Sequence, residues 1–120
     1  MSSPASSPQT DCLFCGVASG RVPATVVLET TGTVAFRDIS PQAPTHVLVI
    51  TRRHLATVGE LAEADPGLLA ELVGSAAEVA RAEGLAGYRL VFNTGVAAQQ
   101  SVHHVHGHVL GGRALTWPPG

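Results

Sequence analysis

The sequence predicts an α+β domain in which a largely antiparallel, five-stranded sheet is combined with one main helix and a short helix. Three observations support this class. Two β-branched runs flank the turn Thr31-Gly32 and indicate a hairpin. A long run of apolar residues at helical spacing follows Asp65-Pro66. Two more strand-like runs follow that helix, so strands and helices do not alternate as they do in a parallel sheet.

The first half of the chain contains a short helical segment and three strands. These elements are predicted at 11–20, 25–30, 33–39 and 46–51. The helical segment stops before Pro23, because the residue before a proline disfavours helix. The loop 40–45 contains two prolines, and the nearly unbroken apolar run 46–51 is typical of a central, buried strand.

The second half contains the helices and the last two strands. A short helix starting at 57–60, the main helix at about 66–83 and strands at 88–93 and 103–110 are predicted. Thr57 and Glu60 fit a capping box. Asp65 as N-cap and Pro66 at the first helical position mark the start of the main helix, and Gly84 marks its end.

The composition is that of a globular domain with few charges. Hydrophobic residues make up 45% and charged residues 13%, and the net charge is −2. A nucleic-acid partner is not expected, because no basic excess is present to bind a phosphate backbone. A membrane span is not expected either, since the longest apolar stretch of the strand-like regions is 47–50.

The N-terminal segment 1–10 is rich in Ser and Pro. It has neither the basic start nor the apolar core of a secretory signal, so we expect a flexible tail followed by a domain at 11–120. The expected compartment is the cytoplasm, where a structural disulfide is uncommon.

Histidines are concentrated near the end of the chain. Six occur in all, and four of them lie between His103 and His108. On a strand, the alternate positions His104, His106 and His108 place three imidazoles on one face. Neighbouring positive charges lower one another's pKa values, so part of the group stays neutral at pH 7. A neutral imidazole can act as a nucleophile, a base or a metal ligand.

Two chemistries fit this cluster from the residues alone. In the first, the imidazoles hold zinc, as in a zinc hydrolase. In the second, one histidine attacks an electrophile while its neighbours orient it and bind anionic oxygens. Ser101 and the backbone amides near Gln99 and Gln100 could then supply further donors. A half-buried polar strand face without a catalytic role is the remaining interpretation.

Five segments carry a resemblance to a known family. They are Asp38-Ile-Ser-Pro-Gln-Ala-Pro-Thr-His46, Gln100-Ser101-Val102, His104-Val-His-Gly-His-Val-Leu110, Leu110-Gly-Gly-Arg113 and Trp117-Pro-Pro-Gly120. Together they resemble the histidine triad nucleotide-binding protein branch of the histidine triad (HIT) family, over about residues 11–120. As a set these motifs are specific, whereas three alternating histidines alone are moderate support.

The resemblance implies a HIT-like fold, a homodimer and a purine nucleoside phosphoramidate hydrolase, which cleaves the P–N bond of adenosine or guanosine phosphoramidates or acts on aminoacyl adenylates. Catalysis would require no cofactor. His106 would be the nucleophile that forms a covalent nucleotidyl intermediate, and His108 would contact the phosphate. His104 and His46 would belong to the surrounding hydrogen-bond chain. Ser101 would lie near the leaving amine.

The resemblance also implies a set of nucleotide-binding residues. Asp38 would hold the ribose hydroxyls, Ile39 would lie against the base and Asn93 would face the nucleotide. Trp117 would line the leaving-group side. The remaining members are Gln99, Gln100, Ser101 and Val102. Taken singly, Asp38 and Asn93 can also be turn residues, and Trp117 can cover a dimer seam or a hydrophobic gap.

The chain departs from the family pattern at three places. The loop 96–99 is less rich in glycine, Gly107 replaces a larger apolar residue, and His103 stands where an aromatic residue is common. Two other functions therefore stay open, dinucleoside polyphosphate hydrolysis as in a sister branch and a nucleotide-binding regulatory module. The segment 38–46 and the Trp117 tail favour the phosphoramidate hydrolase.

The pair Cys12-Leu-Phe-Cys15 is a lone C-x-x-C motif. By itself it is a weak signal, because a zinc site needs two more ligands, and two small buried hydrophobic residues are an alternative. The resemblance extends to bacterial members of the wider family that carry this pattern and bind a structural zinc. In this sequence their ligand set would be Cys12, Cys15, His54 and His104.

Overall fold

The structure is a computed structural model that describes residues 11–120. This part of the chain contains five strands and three helices. In chain order they are α1 (Leu13–Ala18), β1 (Val26–Glu29), β2 (Thr33–Arg37), β3 (Thr45–Thr51), α2 (Val58–Ala64), α3 (Pro66–Ala82), β4 (Tyr88–Val91) and β5 (His106–Gly111). A 3₁₀ turn at Val96–Ala98 precedes β5. The predicted tail, 1–10, lies outside the described residues.

The strands form one sheet in the order β1-β2-β3-β5-β4, and every neighbouring pair is antiparallel. Strand β3 lies at the centre and is buried along its whole length, as its apolar run predicts. Its register places Leu48 opposite Phe36 on one side and His108 on the other. The predicted α+β class with a five-stranded antiparallel sheet is confirmed.

The main helix α3 covers one face of the sheet. Asp65 caps its start, because a carboxylate oxygen of this residue accepts a hydrogen bond from the Leu68 amide at 3.0 Å. The buried side of α3 packs on alternate residues of the strands, Val47 and Val49 among them. Burying this apolar surface is the main term that stabilises the layer.

The opposite face of the sheet carries α1. Phe14 and Val17 of this short helix pack with Phe36, Leu48 and Ile50 from the strands. Because successive residues of a strand point to opposite faces, β3 supplies both layers of the core. His106 and His108 therefore lie on the face of the sheet that carries α1, and α3 covers the other face.

Three predicted strand boundaries differ from those observed by two or more residues. The last strand begins at His106 rather than at 103, because the backbone amide of Val105 donates to the carbonyl of Leu55 at 2.7 Å and leaves the sheet ladder. The strand predicted at 88–93 ends at Val91, and the one predicted at 33–39 ends at Arg37. Within residues 11–120, no helix is both long and apolar enough to cross a membrane.

Candidate functional site

A cavity of about 580 Å³ opens where α1, the end of β2 and the strand β5 meet. Most of its wall is apolar and comes from α1 and the segment that follows it. Its polar lining side chains are Thr25, Arg37, Asp38, Ser101, His106 and His108. Six of the predicted catalytic and nucleotide-binding residues therefore line one cavity, namely Asp38, Ile39, Ser101, Val102, His106 and His108.

His106 presents one defined nitrogen to this cavity. Its ring is only 7% exposed, and Nδ1 lies 2.7 Å from the carbonyl oxygen of His104. A carbonyl can only accept a hydrogen bond, so Nδ1 carries the proton and donates it. The lone pair is therefore on Nε2, which is the arrangement that a nucleophilic imidazole requires.

His46 and His108 form a second hydrogen-bonded pair beside it. The amide of Gln42 donates to His46 Nδ1 at 3.0 Å, which leaves the proton of a neutral His46 on Nε2. That proton is donated to His108 Nδ1 at 2.9 Å. His108 then carries its own proton on Nε2, where it can bind an anionic oxygen in the cavity.

Burial keeps these imidazoles neutral. Desolvation, together with the neighbouring rings of His106 and His46, lowers the pKa of His108 to about 4 against a raising effect from Asp38. Desolvation also lowers the pKa of His106 and of His46, against a raising effect from the carboxylate of Asp38 on both. A neutral histidine cluster is thus the expected state at pH 7.

Asp38 lies at the mouth of the cavity. One carboxylate oxygen accepts the amide of Ser40 at 2.7 Å, so the residue does cap its own turn. The other oxygen lies 3.5 Å from His46 Nε2. Ile39, next in the chain, is fully exposed at the rim.

The segment before β5 divides into residues that face the cavity and residues that do not. Ser101 and Val102 line it, and Ser101 is exposed. Gln100 is buried and holds the loop, since its side chain bonds the Gly95 amide and the carbonyl of Ala56 at 3.0 and 2.7 Å.

The other three predicted nucleotide-binding residues lie outside the cavity lining. Gln99 is exposed and adopts a positive φ of 70°, and Asn93 is half-buried beyond the end of β4. Trp117 is 81% exposed, with the guanidinium of Arg89 at 5.8 Å from its ring. In a single chain these three residues therefore do not line the cavity.

The two cysteines meet two histidines in a separate, buried cluster. Ligand atoms of Cys12, Cys15, His54 and His104 all lie within 4.8 Å of one another. The two Nδ1 atoms are 3.2 Å apart, and the measured Sγ–Nδ1 distances are 3.3 to 3.5 Å. Tetrahedral zinc with these ligands would separate two nitrogens by roughly 3.3 Å and a sulfur from a nitrogen by roughly 3.5 Å. The four residues therefore fit zinc.

The tautomer of His104 agrees with a metal ligand. Its Nε2 donates to the carbonyl of Thr51 at 2.7 Å, which leaves the lone pair of Nδ1 in the cluster. The ring is fully buried and does not line the cavity. His104 contacts His106 through its main-chain carbonyl, so the hydrogen bond to His106 comes from the backbone of His104 and not from its side chain.

A second group of potential ligands, Asp38, His46 and His108, lies in the cavity itself. A metal there would need the lone pair of His46 Nε2, and the proton would then move to Nδ1. That position already faces the Gln42 amide, and two donors cannot share one hydrogen bond. This group does not fit a metal ion.

Two contributors to the site are absent from the sequence prediction. Phe14 packs edge-on against His106, with 5.0 Å between ring centroids. The sequence signal that could have indicated Phe14 is its position between the two cysteines. The backbone amide of Gln42 selects the tautomer of His46, and no residue pattern signals a main-chain contact of this kind.

Comparisons with known proteins agree with this fold. A solved structure of a HIT family hydrolase from Legionella pneumophila is 53% identical, with a TM-score of 0.88, and the match covers 92% of this chain and 100% of that one. An uncharacterised HIT-like protein from Synechococcus elongatus is 44% identical over 111 residues, which is 92% of this chain and 97% of that protein. A zinc-bound histidine triad family protein from Mycobacterium smegmatis is 30% identical, with a TM-score of 0.77 and coverage of 89% and 81%.

The family assignment follows from the extent of these matches. A protein-family model described as the HIT domain matches residues 19–115, which begin just after α1 and include every strand and all three alternating histidines. The chain therefore belongs to the histidine triad (HIT) family.

Proposed function

We propose that this protein is a hydrolase of purine nucleoside phosphoramidates that works through a covalent intermediate on His106. The observation that carries the proposal is the tautomer of His106, whose Nδ1 proton is bound by the carbonyl of His104. The remaining lone pair belongs to a neutral nucleophile in a cavity of nucleotide size. The Legionella relative that covers this chain almost completely is itself named a hydrolase.

The first step would form a bond from His106 Nε2 to phosphorus and break the P–N bond. The electron pair of that bond leaves with the amine, which takes a proton from the Ser101 hydroxyl. The imidazole then carries a positive charge, and the carbonyl of His104 stabilises it through the Nδ1 proton. The Nε2 proton of His108 binds a phosphoryl oxygen as negative charge develops there.

The second step would hydrolyse this intermediate. Water attacks phosphorus, its proton returns to Ser101, and the electron pair of the His106–phosphorus bond returns to Nε2. The net reaction consumes one water and releases a nucleoside monophosphate and an amine. Asp38 would hold the ribose hydroxyls and Ile39 would contact the base, while the apolar wall from α1 would surround the base.

The test is hydrolysis of adenosine 5′-phosphoramidate by the wild type, His106→Ala and His103→Ala. His103 is exposed and does not line the cavity, so its variant is the matched control. We expect the His106 variant to lose at least roughly 1000-fold in kcat and the control to keep wild-type turnover. Quenching the first turnover in alkaline denaturant, in which a phosphorus–imidazole bond survives, should trap the nucleotidyl group on the wild type and on His103→Ala but not on His106→Ala.

Other results would redirect the assignment. Turnover that survives in His106→Ala would contradict the role of this residue. If the intact protein cleaved only dinucleoside polyphosphates, its function would be dinucleoside polyphosphate hydrolysis, as in the sister branch. A protein that binds AMP and cleaves neither substrate would be a nucleotide-binding regulatory module.

We also propose that the Cys2His2 cluster holds a structural zinc ion. The ligand distances, the tautomer of His104 and the zinc-bound relative from Mycobacterium smegmatis support this. The ion would join α1 to the sheet, and catalysis would be carried by the histidines without it. Both cysteines must be reduced for this role, which agrees with a cytoplasmic location.

Elemental analysis of purified protein should give one zinc per chain, and Cys15→Ser should lower this value and the melting temperature. Ser19→Ala, a change near the end of the same helix but outside the cluster, is the control for helix damage. Zinc content that is equal in the cysteine variant and the wild type would contradict the site.

The functional unit that we propose is a homodimer of the domain 11–120, joined through α3 and the edge strand β4. A second chain at the other edge, β1, would reach the segment 23–25, which lines the cavity. Pairing at β4 leaves the cavity open and satisfies an unpaired edge. Val73 on α3 and Tyr88 on β4 are exposed apolar residues on these elements.

A further inference from the structure

Helix α1 takes part in both the metal-ligand cluster and the cavity. Cys12, its N-cap, and Cys15 belong to the cluster, whereas Leu13, Phe14 and Val17 line the cavity. A helix of six residues is too short to be stable on its own. Its position must therefore be set by its attachments to the sheet.

On the polar side, those attachments include the contacts of the two cysteine sulfurs. A thiol forms weak hydrogen bonds, and these sulfurs contact the imidazoles of His54 and His104 and the Cys15 amide. A tetrahedral ion would replace these contacts with four strong bonds that join α1 to the segments before α2 and before β5. The placement of α1 should thus depend on the metal.

Two connections lead from the cluster to the nucleophile. The ring of Phe14, which is 5% exposed, packs edge-on against His104 at 6.1 Å and against His106 at 5.0 Å. The carbonyl of His104 binds the Nδ1 proton of His106 at 2.7 Å. A shift of α1 or of His104 would therefore change both the cavity wall and the orientation of the nucleophile.

We propose that metal occupancy of the Cys2His2 cluster controls the shape of the substrate cavity, and that Phe14 is the positioning residue that transmits the effect to His106. The inference rests on the proposed function for the identity of the ligand, a purine nucleotide. Metal and nucleotide would then bind cooperatively although their sites are distinct.

The experiment compares AMP binding by calorimetry with amide hydrogen exchange, in protein loaded with one equivalent of zinc and in protein stripped with a chelator. We expect AMP affinity to fall roughly 10-fold or more on stripping, within the usual range of coupling between two sites. Exchange should accelerate at Leu13–Ala18 and stay slow in the central strand Thr45–Thr51, which reports that the sheet is intact.

Two variants separate transmission from simple damage to the cavity. Phe14→Leu should weaken AMP binding to the zinc-loaded protein and bring the ratio of loaded to stripped affinity close to one. Ile39→Ala alters another lining residue, which is fully exposed at the rim and lies outside the apolar cluster of α1. It should weaken AMP binding in both states and leave the ratio at the wild-type value.

The outcomes are distinguishable. Equal AMP affinity of loaded and stripped protein with a protected sheet would overturn the coupling, and a ratio unchanged by Phe14→Leu would overturn the role of that residue. Zinc-loaded protein that does not bind AMP would contradict the proposed function. In that case the coupling is tested by hydrogen exchange alone, and equal exchange at 13–18 in loaded and stripped protein would overturn it. If stripping unfolds the sheet, unaltered AMP affinity in zinc-loaded Phe14→Leu overturns the proposal.

Discussion

Main-chain groups decide which nitrogen of each imidazole in the site carries its proton. The carbonyl of His104 holds the proton of His106 on Nδ1, and the amide of Gln42 holds that of His46 on Nε2. The sequence predicts the identity of these histidines because their side chains carry the chemistry. It does not predict their tautomers, since any residue could supply a backbone carbonyl or amide.

His46 should act on the reaction through His108. Replacing His46 with alanine removes the donor to His108 Nδ1, which lies 2.9 Å away, so His108 loses its defined tautomer. We expect kcat to fall roughly 10- to 100-fold with little change in KM, as is typical when a supporting partner of a functional histidine is lost. His46→Gln offers an amide donor in its place and should recover part of the rate. Equal steady-state rates for wild type and His46→Ala would contradict this relay.

Acid should destabilise the fold through His108. Burial lowers its pKa to about 4, whereas an unfolded histidine titrates near 6.5. Between these values the unfolded chain binds more protons, so the stability contributed by neutral His108 is fully present above pH 6.5 and is lost as the pH falls toward 4. We expect a slope on the order of 1 kcal/mol per pH unit in urea unfolding between pH 6 and 5.

Two substitutions isolate this contribution. His108→Asn should unfold with a shallower pH dependence than the wild type, because its side chain does not titrate. His103→Asn removes an exposed histidine from the same segment and should keep the wild-type slope. The assignment to His108 would be wrong if all three proteins showed the same slope.

At the scale of the elements, β5 carries two functions on its two faces. His106 and His108 face the cavity, whereas Gly107 and Val109 face the layer of α3. The alternation was predictable, because it follows from the period of a strand. The loss of strand pairing before His106 was not predictable. It depends on the hydrogen bond from the Val105 amide to the carbonyl of Leu55, which lies fifty residues earlier in the chain.

Gly107 should be intolerant of a larger residue, although many relatives would be expected to carry one. A Cβ there would lie 2.7 Å from Leu90 Cδ1 and 3.2 Å from the ring of Phe92, so both side chains already occupy the space. We expect Gly107→Val to lower the free energy of unfolding by about 1–3 kcal/mol, as overpacking usually does.

A second glycine provides the matched control for this substitution. Gly74 lies in α3 with no atom within 4 Å of an added Cβ, so Gly74→Ala should raise stability by about 1 kcal/mol. Urea denaturation of both variants measures the two effects. An unchanged midpoint in Gly107→Val would show that Leu90 and Phe92 can move aside.

At the scale of the whole molecule, the proposed dimer is tested with two exposed valines. Val73 on α3 and Val26 on β1 are each 43% exposed, but only Val73 lies on the proposed interface. Val73→Glu should therefore convert dimer to monomer in size-exclusion chromatography with light scattering, because it places a charge in an apolar contact. Val26→Glu should leave the dimer intact, and the reverse pattern would move the interface to β1.

The sequence by itself determined the class of fold, the three alternating histidines and the membership of Cys12 and Cys15 in a candidate metal site. These features are local, because periodicity, capping residues and short motifs are carried by neighbouring positions. The resemblance further implied that His54 and His104 complete this set, and the structure brings the four residues together. Tertiary structure alone decided that Phe14 contacts His106 and that Gln99, Asn93 and Trp117 are not among the residues that line the cavity of their own chain. These facts depend on the crossing of segments far apart in sequence, whose distances are set by the packing of the sheet between its two helical layers.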